Sequence, residues 1–176
     1  MSGIRDAMVC QFGNPKGLLG RIASLIMQVR PSNRKRNLRT VDVADIRPED
    51  NVLEIGFGPG LAVAEAARRA FAGKVCGIDR SELMLEQARR RNRKAVDAGR
   101  VDLRLGAVER LPKFGVRFDK IFAVNVFMFW EDPGGALRGL RSQMSAGGTI
   151  ALTLQPRSRG ATNEDSRAAA SSMEAA

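Results

Sequence analysis

The stretch Val52-Leu53-Glu54-Ile55-Gly56-Phe57-Gly58-Pro59-Gly60 decides how this chain is read. Val52, Leu53 and Ile55 form a short apolar run of the kind that fills a buried strand. Glycine then recurs on alternate positions, at 56, 58 and 60. Glycine allows a tight strand-to-helix turn. It also lets a ligand approach the backbone where a side chain at Gly56 or Gly58 would stand in the way. The triplet alone fits a tight turn with no ligand as well as it fits a ligand site.

Helix and strand alternate outward from this stretch. The pattern predicts strands over 51–55, 74–78, 101–105, 118–124 and 149–154, and helices over 61–71, 81–98 and 136–144. Ser81 is a suitable N-cap and Gly99 a suitable stop for the second of these helices. Before the first strand, Leu18, Leu19, Ile22, Leu25, Ile26 and Val29 fall at helical spacing, and Pro31 ends that helix. A shorter helix is predicted over 32–45, with Leu38, Val41 and Ala44 inward. Repeated β–α alternation predicts an α/β fold: a doubly wound, mainly parallel, Rossmann-like sheet with helices on both faces. In such sheets ligands bind beyond the carboxyl ends of the strands, where the strand order reverses. Asp79 ends the second strand at that same edge and can accept both hydroxyls of a ribose. Read alone, Asp79 is a local cap or a surface charge; with the glycine triplet it points to a nucleoside ligand.

Composition narrows the chemistry. The 176 residues suit one domain with a real core. No apolar run is long enough to span a membrane, and the first residues lack a secretory signal, so an integral membrane protein is not expected and the cytoplasm is. Two cysteines without a CxxC give neither a disulfide framework nor a zinc site, and no metal is expected. Histidine and tyrosine are absent, which removes the commonest general base. The net charge of +10 fits an anionic partner or simply arginine on solvated helix faces. Its clusters, Arg30, Arg34, Lys35, Arg36 and Arg39, then Arg89, Arg90, Arg91, Arg93 and Lys94, carry no interleaved aromatics for base stacking. Nucleic acid is therefore not the expected partner.

The glycines are spaced GxGxG rather than GxGxxG, with an acid, Glu54, two residues before the first. Here the sequence resembles the class I S-adenosylmethionine-dependent methyltransferases. The resemblance covers residues 41–156, including LPKFGVRFDKIFAVNVFMFWEDP and LRGLRSQMSAGGTIALT, and looks closest to small-molecule enzymes of the quinone-biosynthesis and phospholipid type. It implies that Glu54, Gly56, Phe57, Gly58 and Gly60 hold the methionine end of S-adenosylmethionine. Asp79 would take the ribose, with Arg80 beside it against the adenine. Ala107 and Val108, in a segment 105–108, would flank the adenine. Asn125 and Val126 would lie near the transferable methyl; the apolar cluster Phe127, Met128, Phe129 and Trp130 reads either as ordinary packing onto the sheet or as a hydrophobic acceptor pocket lined by Phe129 and Trp130. Where the family often has Asp after Gly, to accept the adenine amino group, this chain has Ala107; Glu109 or backbone groups would serve instead. The NPPY motif of adenine and glutamine N-methyltransferases is missing.

Three segments are expected: a helical cap or lid over 1–46, the cofactor-binding core over 47–156, and a polar tail or helix start over 157–176. The family's usual C-terminal strand pair has no counterpart after Leu154, which would leave a strand edge for a second copy or a partner chain to complete. Thr162 and Asp165 resemble a helix start. The expected function is methyl transfer to a small-molecule acceptor, one with a hydrophobic part, by in-line displacement. The alternative is a cofactor- or partner-binding module without turnover. An RNA methyltransferase is suggested by charge alone, and the glycine spacing disfavours a nicotinamide-linked oxidoreductase.

Overall fold

A computed structural model describes residues 31–154 together with 162, 164, 165, 167, 170 and 171. The helix expected over 18–29 lies outside the described residues. The sheet is five-stranded and all parallel, in the order β3-β2-β1-β4-β5. Its strands are β1 (Val52–Ile55), β2 (Val75–Asp79), β3 (Val101–Leu105), β4 (Phe118–Val124) and β5 (Met144–Thr153). The order reverses between β1 and β4, so the carboxyl end of β1 opens at the switch point that the sequence pattern anticipated.

Successive strand residues point to opposite faces, and this sorts the core into two layers. Val52, Val75, Val101, Leu103, Phe122 and Val124 pack with the buried faces of three helices: α1 (Pro31–Val43), α2 (Leu61–Arg69) and α3 (Glu82–Arg91). Leu53, Ile55, Cys76, Ile78, Ile121 and Ala123 pack on the other face. Their partners include Phe114, Trp130 and Leu140. Cys76 sits in that second layer, and burial pushes its thiol up to about 12, so it is an inert core residue.

Three elements differ from the pattern reading. The helix expected over 81–98 is two, α3 and the short α4 (Arg93–Asp97), broken at Asn92. Asn92 donates its side-chain amide to the Ala88 and Gly60 carbonyls (2.8 and 3.0 Å), a tertiary bond that periodicity cannot show. The last long helix, α5 (Pro133–Ser142), begins three residues earlier than expected. Asp132 accepts from the Gly135 N–H (2.9 Å) and Pro133 takes the first turn, a start signal masked by the two following glycines. β5 begins at Met144, with its register shifted before Thr149. The expected start at Thr149 is where regular pairing with β4 resumes, beyond Gly147 at φ 76°.

Among the described residues β5 pairs only with β4. Thr162 and Asp165 cap one another: the Asp165 carboxylate accepts from the Thr162 N–H (2.7 Å) and the Thr162 hydroxyl from the Asp165 N–H (3.3 Å). The helix start read there is thus present.

Candidate cofactor site

One cleft opens at the carboxyl ends of β1, β2 and β4. Its walls include Gly56, Phe57, Gly58 and Pro59 from the β1–α2 turn, and Asp79 and Arg80 from the end of β2. Gly106, Ala107 and Val108 follow β3, and Asn125, Val126, Phe129 and Trp130 follow β4. The structure thus brings together most of the residues singled out from the sequence.

The three glycines have three different physical reasons. A Cβ on Gly56 would lie 2.5 Å from Val126 Cγ1, and one on Gly60 2.7 Å from Ala88 Cβ. Both clashes are with protein, not with a ligand: Gly56 admits the β4 loop, and Gly60 admits α3. At Gly58 a Cβ would meet nothing within 4 Å, yet its φ is +52° and it lines the cleft. Gly56 and Gly58 both line the cleft, and Gly58 is the one of the three whose Cβ would meet no protein atom within 4 Å. The turn is held from behind by Arg91, which donates to the Pro59 carbonyl (2.9 Å), and by Asn92 on Gly60. Arg91 was counted from sequence as part of a basic cluster. It and Arg89, which donates to the Leu103 carbonyl (2.8 Å), are used internally, and Arg93 pairs with Asp97 one turn on.

Asp79 accepts from the Gly58 N–H (2.8 Å) through one oxygen and from the Ser81 N–H (2.9 Å) through the other. Asp79 is therefore a local cap. A carboxylate oxygen has a second lone pair, so both oxygens can still accept from a ligand. Burial raises the Asp79 pKa, while the backbone donors of Ser81, Gly58 and Arg80 pull it down.

Arg80 pairs with Glu109 (2.6 Å), and Glu109 also accepts from the Glu131 N–H (3.2 Å). Glu109 thus ties the loops after β2, β3 and β4 together and does not line the cleft, whereas Gly106, Ala107 and Val108 do. Leu105 is nearly half exposed and also lies outside the cleft wall. In the apolar cluster, Phe129 and Trp130 line the cleft, Phe127 packs on Trp130 (5.1 Å between ring centres), and Met128 is exposed. Two wall residues, Asn33 and Asn37 of α1, escaped the sequence reading, since a polar pair at i and i+4 looks like any solvated helix face.

The chain matches the methyltransferase-domain family over residues 52–148, from the start of β1 into β5. The chain belongs to the class I S-adenosylmethionine-dependent methyltransferases. It is 33% identical over 146 residues to the uncharacterized methyltransferase YdaC of Bacillus subtilis, covering 83% of this chain and 77% of that one. Against a trans-aconitate 2-methyltransferase of Pseudomonas aeruginosa it is 30% identical over 128 residues, covering 73% of this chain but 44% of the relative. A solved S-adenosylmethionine-dependent methyltransferase from Aquifex aeolicus shares the fold with a TM-score of 0.62 at 20% identity, covering 77% and 75% of the two chains. These relatives do not single out the quinone-biosynthesis group.

Two acids of this methyltransferase lie at the ends of β1 and β2: Glu54, which is buried, and Asp79, which is half-buried. Glu54 is 1% exposed and lies behind the cleft wall rather than in it, facing the first turn of α2, whose Val63 N–H it accepts. Among the described residues, nothing hydrogen-bonds its Oε2. Burial first, then the charge of Asp79, push its pKa well above the usual carboxylate range. The Asp79 carboxyl is also raised by burial, with three backbone donors pulling against that shift where Glu54 has one.

A raised carboxyl pKa stabilises the fold fully below the unfolded value, and this is lost as pH rises through the raised one. The ligand-free protein is therefore expected to lose thermal stability as pH rises from acid toward the raised Glu54 value, with Glu54→Gln flattening that slope. A cation placed beside these acids would favour their charged forms. Cofactor binding within that window is expected to release up to about one proton. Calorimetry in buffers of different ionisation heat measures it; an equal release from Glu54→Gln would assign the proton elsewhere.

Proposed function

We propose that this methyltransferase acts on a small acceptor with an apolar body, by in-line displacement of the methyl. The observation that carries this reading is the composition of the cleft beyond Gly56: Val124, Asn125, Val126, Phe129 and Trp130 form a largely apolar wall. S-adenosylmethionine would supply an activated sulfonium methyl. The backbone of 56–60 and the Asp79 carboxylate are the groups that would hold it, with the buried Glu54 behind the turn. Orientation by these walls can supply on the order of 7–11 kcal/mol of the barrier.

The acid–base inventory restricts the acceptor. Of the described residues lining the cleft, Asp79 and Arg80 are the titratable ones, and both are engaged elsewhere. An acceptor that is already a nucleophile, such as an amine, thiolate, phenolate or stabilised carbanion, needs no base there. The trans-aconitate methyltransferase relative supports a small-molecule acceptor of some kind.

Product formation in a panel of such acceptors tests the reading. The pH dependence of kcat/KM is expected to follow the acceptor's own pKa. Phe129, partly exposed at the cleft, is expected to matter for the acceptor rather than the cofactor. Phe129→Ala is expected to lower kcat/KM about tenfold or more, the worth of one aromatic contact. S-adenosylhomocysteine affinity should change less than about twofold. Cofactor binding without product from any acceptor class would favour the non-catalytic module instead.

A further inference from the structure

One hydroxyl pair joins α1 to the end of β5, beside the cleft. Asn33 and Asn37 place one face of α1 on the cleft wall, and the Asn37 side-chain amide donates to the Asn33 carbonyl (2.8 Å). The same face continues into Thr40, which is 1% exposed. The Thr40 hydroxyl bonds the Arg36 carbonyl (3.0 Å) and shares a 2.7 Å hydrogen bond with the Thr153 hydroxyl, 113 positions away. Thr153 is the last residue of β5. Its carbonyl accepts from the Asn125 N–H at 2.7 Å. Asn125 also lines the cleft, 6% exposed, at a φ of +56° that a non-glycine residue holds only when its surroundings dictate it.

We propose that Thr40 is a positioning residue: with Thr153 it locks the Asn33–Asn37 face of α1 to the Asn125 corner, so that both walls close on the bound cofactor together. This rests on the cleft being the cofactor site. A hydroxyl pair with no such role would also form a hydrogen bond and contribute to stability. What sets the proposal apart is the geometry, because the pair sits where the backbone of one wall and the helix of the other meet. Removing the Thr40 hydroxyl takes its partner from the half-buried Thr153 hydroxyl, removing that of Thr153 leaves Thr40 with the Arg36 carbonyl, and either change loosens α1 from β5. α1 then contributes less to holding the ligand, and dissociation quickens.

The test is the dissociation rate of S-adenosylhomocysteine from the full chain, measured by stopped flow for wild type, Thr40→Val, Thr40→Ser, Thr153→Val and Asn37→Ala. Thr40→Val and Thr153→Val are each expected to release it about fivefold faster, the effect of one neutral hydrogen bond. Thr40→Ser should restore the wild-type rate. In the Asn37→Ala background, Thr40→Val should add little, because the two act through one wall. Thr153→Val keeps a β-branched residue in a strand, so it reports on the lock even where Thr40→Val folds poorly. Wild-type release from both valine variants, or full additivity with Asn37→Ala, would overturn the proposal. A folded wild-type chain that binds no S-adenosylhomocysteine would overturn the cleft reading and the proposal with it.

Discussion

Asp79→Ala is expected to weaken S-adenosylmethionine binding about a hundredfold or more. Two charge-assisted hydrogen bonds to a ribose are worth about 1.5–3 kcal/mol each, and each 1.4 kcal/mol is tenfold in affinity. A second loss adds to this one. Asp79 accepts from the Gly58 and Ser81 N–H groups, so its removal frees the turn that lines the cleft. The fold itself should suffer less than this bonding suggests, since a half-buried carboxylate with a raised pKa is lost at the same time. Titration calorimetry beside thermal unfolding separates the two effects. An affinity within about threefold of wild type would show that Asp79 acts as a cap alone.

Gly60→Ala and Gly58→Ala are expected to fail in opposite ways. At Gly60, φ is +75° and a Cβ would lie 2.8 Å from the backbone Cα of Ala88, so α2 and α3 must part. Left-handed strain of about 1–2 kcal/mol and overpacking of about 1–3 kcal/mol together remove much of an ordinary domain's stability. The unfolding midpoint should fall by about 10 °C. At Gly58 only the backbone strain applies, since a Cβ meets nothing within 4 Å. That variant should stay folded, with a midpoint a few degrees lower, and bind the cofactor poorly because the methyl stands in the cleft. Equal loss of stability in both variants would contradict the distinction drawn between the glycines.

Much of this site was legible because its residues cluster in short, patterned segments. The run from Val52 to Gly60 contains a strand, a turn and a helix start, and Asp79 ends a strand of obvious apolar character. The carboxyl ends of parallel strands gather such segments whatever their distance in sequence. The parts that were not legible depend on contacts between distant segments. Thr40 and Thr153 are ordinary threonines until the fold puts them 2.7 Å apart. Asn92 and Arg91 looked like helix surface, yet they hold the carbonyls of the glycine turn. Glu109 looked available for adenine until Arg80 and the Glu131 N–H engaged it. Side-chain-to-backbone bonds of this kind leave no periodic trace in a sequence.

The basic surface has a plainer explanation than a nucleic-acid partner. Arg89, Arg91 and Arg93 are committed to intramolecular partners, while Arg34, Lys35 and Arg39 on α1 are exposed. Neither basic cluster has an aromatic residue between its cations in the sequence.

The central claim is that S-adenosylmethionine chemistry is housed at the carboxyl ends of β1, β2 and β4. An amide NMR titration of the full chain with S-adenosylhomocysteine tests both occupancy and place. Saturable shifts of the Gly56, Gly58, Gly106 and Ala107 amides, with Gly99 and Gly115 unmoved, are the expected result. Saturable binding that leaves the first four amides unchanged, or a folded chain that shows no binding, would contradict it.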